Sequence, residues 1–343
     1  FGFGGTNAHL VLEAAEPRPA PPRPSDRPLH VLAMSAKTAS GLTNVAASYA
    51  AFLDSHAEFA LPDVCHSANV GRTHFAHRAA VVAGSREDLA KQLAAIAEGK
   101  KSAGKLSGVS PATRPKVAML FTGQGSQYPG MGRELYETQP VFRRAIERCD
   151  ALLSGLLEPS LLSALYGSDD ASPIHETAHT QPALFALEYA LAALWRSWGV
   201  SPDLVMGHSV GGVTAAGVAG GMSLGGGLRL IAQRRRLVPA LPRDGAMAVV
   251  FAPRSQVEPA LAGREASLSI AAANGPLNTV ISGNTNAVEE VASGFEQQGV
   301  RVERLTVSHA FHSPLMEPML DEFEQFAAQI EFAPPRTPII SNL

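Results

Sequence analysis

The chain reads as an α/β protein in which a small α/β unit precedes a larger one, and three observations predict that class. A short apolar stretch, Leu204-Val205-Met206, runs into Gly207-His208-Ser209-Val210-Gly211 and then into small residues over 213–220, the order strand, sharp turn, helix. Downstream, residues 246–305 alternate as strand, helix, strand, strand, helix, strand, the ferredoxin-like order of a small inserted subdomain. Upstream, residues 29–97 alternate strand, helix, strand, helix by apolar periodicity.

Composition bounds the function. A chain of 343 residues has room for about two domains and a substantial core. Its 28 Lys and Arg against 31 Asp and Glu leave a formal net charge of −3, which gives no basic field for nucleic acid. Mean hydropathy of +0.04 is ordinary for a soluble protein. Residues 204–224 are long and mostly apolar, but His208, Ser209, Thr214 and the glycines make a poor lipid-facing helix, so no membrane contact is expected. Two cysteines, Cys65 and Cys149, imply neither a disulfide framework nor a cysteine zinc site. The opening Phe1-Gly2-Phe3-Gly4 lacks the charged segment and apolar core of a signal peptide, so a cytoplasmic location is expected. The absence of an initiator methionine points to a piece of a longer polypeptide.

Taken in order, residues 1–13 hold a glycine-rich loop. No strand precedes it and Leu10-Val11-Leu12 after it reads as strand, so it is no dinucleotide fingerprint. Residues 16–28, with Pro17, Pro19, Pro21, Pro22, Pro24 and Pro28, read as an extended linker or surface strap. Residues 29–34 are a strand, and 38–56 place Leu42, Val45, Tyr49, Phe52 and Leu53 at helical spacing. Residues 78–83 are another strand. Ser85, with Asp88 three residues on, caps a helix carrying Leu89, Leu93 and Ile96 that Gly99 stops. Lys100, Lys101 and Lys105 then read as a solvated loop, with a domain boundary near 111–115. Residues 117–121 read as a buried strand running into Thr122-Gly123-Gln124-Gly125-Ser126-Gln127. No Lys-Ser/Thr pair follows, so this is no Walker loop; it is a plain turn or a source of backbone N–H groups. Residues 140–153 and 182–198 read as helices, the second turning Leu184, Leu187, Leu191, Leu194, Trp195 and Trp198 to a core. Residues 228–238 form a helix with Arg234, Arg235 and Arg236 in a row. Their side chains point apart, so at most one or two face one site and most are solvated. Residues 338–341 read as a strand.

A serine at such an elbow is placed to be a nucleophile. It needs a base for its proton and N–H donors for the oxyanion of a tetrahedral intermediate. The N–H of Val210 and one from Gly123-Gln124-Gly125 can build that hole. Eleven histidines are available as base. His208 is turned away by the elbow, whereas His309 and His312 lie in a loop returning from the insertion, where one could reach Ser209.

Gly123-Gln124-Gly125-Ser126-Gln127, Thr180-Gln181-Pro182-Ala183-Leu184, Gly207-His208-Ser209-Val210-Gly211, Arg234 and His309-Ala310-Phe311-His312 together resemble the acyltransferase domain of type I modular polyketide synthases. The resemblance to this malonyl-CoA:acyl-carrier-protein transacylase family covers nearly the whole chain. It implies an α/β-hydrolase-like acyltransferase core with an inserted ferredoxin-like subdomain, preceded by a small α/β linker domain. On it, residues 1–27 are a ketosynthase C-terminal remnant and Pro-rich linker, and 28–112 the ketosynthase–acyltransferase linker domain. Residues 113–241 are the large subdomain, 242–305 the ferredoxin-like small subdomain, and 306–343 the return to the large subdomain. His9 matches a catalytic histidine of the ketosynthase, whose cysteine and other histidine are not in this sequence, so it does no condensation chemistry here.

Carried over by position, the resemblance implies Ser209 as nucleophile, His312 as general base, and Gln124 and Val210 as oxyanion-hole donors. It implies that Arg234 binds the substrate's free carboxylate and that Gln181 and Asn274 line the site. His309-Ala310-Phe311-His312 looks like the signature of malonyl-selecting members, where methylmalonyl-selecting ones read Tyr-Ala-Ser-His, so His309 and Phe311 join the substrate-binding set. Residues 176–181 agree with the malonyl group. The implied reaction is ping-pong transfer of malonyl from malonyl-CoA, through Ser209, to the phosphopantetheine thiol of an acyl carrier protein. No metal and no tightly bound cofactor are implied. The implied partners are that carrier protein and the ketosynthase domain of the same polypeptide.

The chain departs from the family at Gly212, commonly glutamate, and at Gly225-Gly226, typically an acidic pair. The family also continues past Leu343 with a segment that orients the histidine. A hydrolase with the same elbow is the first rival, but it would carry an acid between serine and histidine. Asp244 gives no sign of that role, and a simple ester offers Arg234 no carboxylate. A silent docking module is the second rival, and the intact Ser209, His312 and Arg234 set argues against it.

Overall fold

The computed structural model describes Gly5 and residues 8–14, 27–100, 105–167 and 172–342. Most of the proline-rich segment, most of the first glycine-rich loop and Lys101 lie outside the described residues. Where Leu10-Val11-Leu12 was expected as strand, residues 8–14 are irregular and these side chains are exposed. No strand among the described residues pairs with them, so their apolar pattern has no ladder to join. The chain divides into two compact units between Ala112 and Thr113.

In the first unit β1 (His30–Ala36), β2 (His77–Ala83) and β3 (Lys105–Val109) form an antiparallel sheet in that order. Three helices, α1 (Ala39–Ser55), α2 (Leu61–Val70) and α3 (Arg86–Ala97), complete it. Alternate residues of β1 and β2, Leu32, Met34, Ala79 and Val81, pack with Leu53, Leu89 and Leu93. The Thr38 and Ser85 hydroxyls accept the N–H of Gly41 and Asp88, which starts α1 and α3. Lys105 opens a strand rather than sitting in a solvated loop. Its segment has little apolar alternation, and antiparallel pairing with β2 supplies what the pattern lacks. The short α2, with proline in its first turn, was not anticipated; it buries Val64, Cys65 and Ala68.

In the second unit β4 (Ala118–Phe121), β5 (Leu204–Gly207) and β10 (Ile339–Ile340) make a parallel sheet of order β10-β5-β4. The expected burial of β4 holds only at its end: Phe121 is buried, but Leu120 is 71% exposed and shares an uncovered face with exposed Ala118 among the described residues. Around this sheet lie α4 (Arg133–Thr138), α5 (Pro140–Leu153), α6 (Leu161–Tyr166), α7 (Thr177–Ser197), α8 (Gly211–Ala219) and α9 (Leu224–Leu237). Phe142, Ile146, Leu184, Phe185, Leu228 and Ile231 form their common core. Helix α7 begins five residues before Pro182, which lies inside it without donating a backbone bond, and the Thr180 hydroxyl of that first stretch donates to the Ile174 and Glu176 carbonyls. Trp195 and Trp198 do not face the core. They are 47% and 45% exposed and pack edge-to-face on each other, 5.4 Å between centroids.

The insertion runs β6 (Gly245–Val250), α10 (Arg254–Val257) with a 3-10 turn at Glu258–Leu261, β7 (Leu268–Gly275), β8 (Asn278–Asn284), α11 (Thr285–Gln297) and β9 (Val302–Arg304). Its antiparallel sheet has the order β7-β8-β6-β9, which is ferredoxin-like, over a core of Val250, Val257, Ile281, Val288 and Phe295. The chain returns through a 3-10 turn, Pro314–Met319, and α12 (Leu320–Ala327) to β10. Among the described residues no helix is long and apolar enough to cross a membrane.

Candidate active site

The elbow joins β5 to α8 with no room for side chains at its glycines. A Cβ on Gly207 would lie 2.1 Å from the Gly211 carbonyl oxygen, and one on Gly211 would lie 2.5 Å from the carbonyl oxygens of Phe121 and Thr122. Between them Ser209 takes φ +51°. Its partner His312 takes φ +61°, and among the described residues these are the only non-glycine positions with positive φ. Each such backbone costs on the order of 1–3 kcal/mol and is held by its surroundings.

Ser209 Oγ and His312 Nε2 are 2.8 Å apart. The insertion helps to carry the histidine: Ser269 Oγ of β7 donates to the His312 carbonyl at 2.5 Å, and Ser313 Oγ donates to that of Ala310 at 2.6 Å. Burial, then the charge of Arg234, then His208 pull the His312 pKa below its ordinary value of 6.5. The imidazole is therefore neutral at pH 7, with Nε2 able to accept the serine proton. Among the described residues no carboxylate hydrogen-bonds to His312; Asp244 instead accepts from Asn284 Nδ2. His208 is exposed, with Nδ1 3.4 Å from Asn342 Nδ2.

Arg234, on α9, has its guanidinium carbon 5.7 Å from the centre of the Phe311 ring. Its Nε is buried without a hydrogen-bond partner among the described residues, and burial lowers its pKa. The Arg235 Nε is buried and unpartnered in the same way, but its terminal nitrogens donate to the Leu156 and Glu158 carbonyls at 2.9 and 3.3 Å, whereas those of Arg234 make no hydrogen bond among the described residues. Arg236 is exposed and pairs with Glu322. Arg236 is thus the exposed one of the three, since the short loop after α5 offers Arg235 the carbonyls of Leu156 and Glu158, the second shared with His179 Nε2.

The other expected residues divide. Among the described residues no acceptor takes the backbone N–H of Gln124 or Val210. The side chain of Gln124 donates to Thr177 Oγ1 at 3.0 Å and accepts from Gln181 Nε2 at 3.4 Å. Thr177 Oγ1 lies 2.8 Å from Ser308 Oγ, which lies 3.0 Å from His309 Nδ1. Gln124, Gln181 and His309 thereby share one polar chain. His309 and Phe311 are both buried, with ring centroids 6.2 Å apart. Phe311 is also a core residue, packed among Leu237, Val238, Met247, Val280 and Met316, a role the sequence did not disclose. Asn274 is exposed near the end of β7 and is not hydrogen-bonded to this set.

Sequence reasoning missed Glu188. It is buried on α7, and its Oε1 accepts the Thr122 backbone N–H at 2.6 Å and the Thr122 hydroxyl at 2.9 Å. A lone carboxylate within the apolar run 182–194 was the available signal. Among the described residues no group of three His, Cys, Asp or Glu could hold a metal ion.

Residues 118–343 match the family model described as an acyl transferase domain. The chain belongs to the acyl transferase domain family. Residues 30–93 match a second model, the CurL-like C-terminal region of polyketide synthases. The acyltransferase is 43% identical over 349 residues to the phenolphthiocerol synthesis polyketide synthase type I Pks15/1 of Mycobacterium marinum, covering 100% of this chain and 16% of that protein. It is 43% identical over 343 residues to mycoketide-CoA synthase of Mycobacterium tuberculosis, covering 100% and 8%. Among solved structures it resembles the acyltransferase domain from module 8 of the salinomycin polyketide synthase, with TM-score 0.78, 32% identity and coverage of 93% and 76%. It also resembles the malonyl CoA-acyl carrier protein transacylase of Coxiella burnetii, with TM-score 0.61, 28% identity and coverage of 66% and 73%. The acyltransferase is thus a domain of the type I polyketide synthase kind, with an α/β-hydrolase-like core and a ferredoxin-like subdomain. It spans 16% of the first of these synthases and 8% of the second.

Proposed function

We propose that this acyltransferase moves a malonyl group from malonyl-CoA, through an ester on Ser209, to the phosphopantetheine thiol of an acyl carrier protein. The observation that carries the reading is the 2.8 Å Ser209–His312 contact beside Arg234, whose guanidinium makes no hydrogen bond or ion pair among the described residues. Ser209 Oγ attacks the thioester carbonyl while His312 Nε2 takes its proton. The N–H groups of Gln124 and Val210 hold the oxyanion. The C–S bond breaks and CoA leaves with the proton from His312. The carrier thiol then gives its proton to His312 and attacks the ester, and Ser209 leaves reprotonated. Each step balances with no tightly bound cofactor.

Arg234 selects the acyl group by its free carboxylate, since a planar guanidinium makes two charge-assisted hydrogen bonds that lysine cannot reproduce. His309 and Phe311 wall the acyl α-carbon, and Gln181 and Asn274 line the approach. The match at residues 30–93 supports residues 28–112 as a linker domain after a ketosynthase of the same polypeptide.

The test is Arg234→Ala with two substrates. Loss of the clamp should cost malonyl transfer about 2–5 kcal/mol, roughly 30-fold to several thousand-fold in rate. Acetyl-CoA, which has no carboxylate, should lose far less, and Arg235→Ala should leave the malonyl-to-acetyl ratio unchanged. Equal losses for both substrates in Arg234→Ala would remove the carboxylate role.

A further inference from the structure

We infer that Glu188 is a positioning residue for acyl transfer, its buried carboxylate holding the corner where β4 turns into the loop that carries the Gln124 N–H. The inference rests on the acyl-transfer reading above. Glu188 is 7% exposed in the middle of α7, with buried Leu184, Phe185 and Ala192 one turn away on the same side. One oxygen, Oε1, takes both hydrogen-bond donors of Thr122, the backbone N–H and the hydroxyl. Thr122 Oγ1 also lies 2.8 Å from Ser126 Oγ, which reaches the Gly123 carbonyl at 3.3 Å. The carboxylate therefore holds the Thr122 end of the loop that contains Gln124, and the Thr122 hydroxyl in turn meets Ser126 at the other end.

The same corner touches the nucleophile's turn. The Phe121 carbonyl accepts the His208 N–H at 2.9 Å, and the Gly211 backbone sits against the carbonyls of Phe121 and Thr122. A shift of Thr122 thus changes the spacing between the Gln124 N–H and the Val210 N–H. Thr214 of α8 also approaches the carboxyl closely enough to favour its charged form, although neither Thr214 Oγ1 nor Glu188 Oε2 completes a hydrogen bond. Burial opposes that charge and raises the Glu188 pKa. An apolar side chain would fill this space without a desolvation penalty. What it could not do is pair the Thr122 N–H and orient the loop. Donors aimed at an oxyanion act on the transition state and not on the bound thioester, so misplacing them slows chemistry while leaving substrate binding alone.

The experiment is rapid-quench acylation by malonyl-CoA, with the Ser209 ester quantified by mass, on wild type, Glu188→Leu and Glu188→Gln. A residue that serves only the fold would lower the burst amplitude, the fraction of competent enzyme, and leave the rate constant of the remainder unchanged. The inference expects the reverse. In Glu188→Leu the limiting rate constant should fall about 10- to 100-fold, the scale of a small misplacement of catalytic groups, with half-saturating malonyl-CoA unchanged. Glu188→Gln keeps an acceptor oxygen for Thr122 and should fall between Glu188→Leu and wild type; it also serves if the leucine variant does not fold. Rate constants equal to wild type in the folded variants would overturn the inference while wild-type acylation upheld the proposed function. A glutamine variant as slow as the leucine one would overturn it too. Wild type forming no ester would overturn both.

Discussion

At His312, burial, the Arg234 charge and the neighbouring His208 all favour the neutral imidazole. Since the base works unprotonated, kcat/KM for acylation should rise with pH through the His312 pKa, with the midpoint of that acid limb below the ordinary 6.5. His208→Gln removes the last of these influences from an exposed position, so the midpoint should move to higher pH. A midpoint that stays put or moves down would separate His208 from the base. Phe311 carries a second prediction. In the proposed function its ring walls the acyl α-carbon, and one methyl gains only about 1–3 kcal/mol from a hydrophobic pocket, so exclusion of methylmalonyl would come from a clash. Phe311→Ser should therefore raise methylmalonyl transfer relative to malonyl in a two-substrate competition. Because Phe311 also packs in the core, the same variant should lose stability in denaturant titration, by something near the 3–5 kcal/mol of a large aromatic truncation. Unchanged selectivity would move the discrimination to another residue.

Helix α9 shows how elements tolerate unusual residues. Gly225 and Gly226 stand in its first turn, and the Ser223 hydroxyl caps it by accepting the Gly226 N–H at 3.0 Å. A Cβ on Gly225 would meet only Leu152 Cδ2 at 3.9 Å, whereas one on Gly227 would lie 2.7 Å from the Phe185 ring. Gly225→Ala should thus raise unfolding free energy by roughly 0.5–1 kcal/mol, and Gly227→Ala should lower it by about 1–3 kcal/mol. A Gly227→Ala protein at least as stable as Gly225→Ala in chemical denaturation would contradict this packing. The elements legible in the sequence were those with strong local signals. Ser85 with Asp88, the glycines of the elbow, and the alternating strands of the insertion each announce themselves within a few residues. Elements α2 and β3 did not, because a ten-residue helix and an edge strand with exposed Leu106 and Val109 are held by their neighbours more than by their own pattern.

Across the whole molecule, the site draws on residues far apart in the chain. Ser209 and His312 are separated by 103 positions, yet each could be named because its short motif resembles a family pattern. Arg234 could be singled out from its two neighbours only by that resemblance; the physical difference lies in which carbonyls and carboxylates happen to sit near Arg235 and Arg236. Glu188, Ser269 and the Thr177–Ser308 link belong to no motif. They join elements 66, 43 and 131 positions apart, and contacts of that kind exist only once the layers have packed. The ferredoxin-like insertion likewise reads plainly as an order of elements, while its part in holding the His312 carbonyl does not. The central claim is that these pieces assemble a malonyl-loading serine. The most direct measurement is intact-protein mass spectrometry with peptide mapping, after mixing with equal amounts of malonyl-, methylmalonyl- and acetyl-CoA. The account predicts a single malonyl group on Ser209 and none on Ser209→Ala; label persisting in the alanine variant, or methylmalonyl loaded as readily as malonyl, would contradict it.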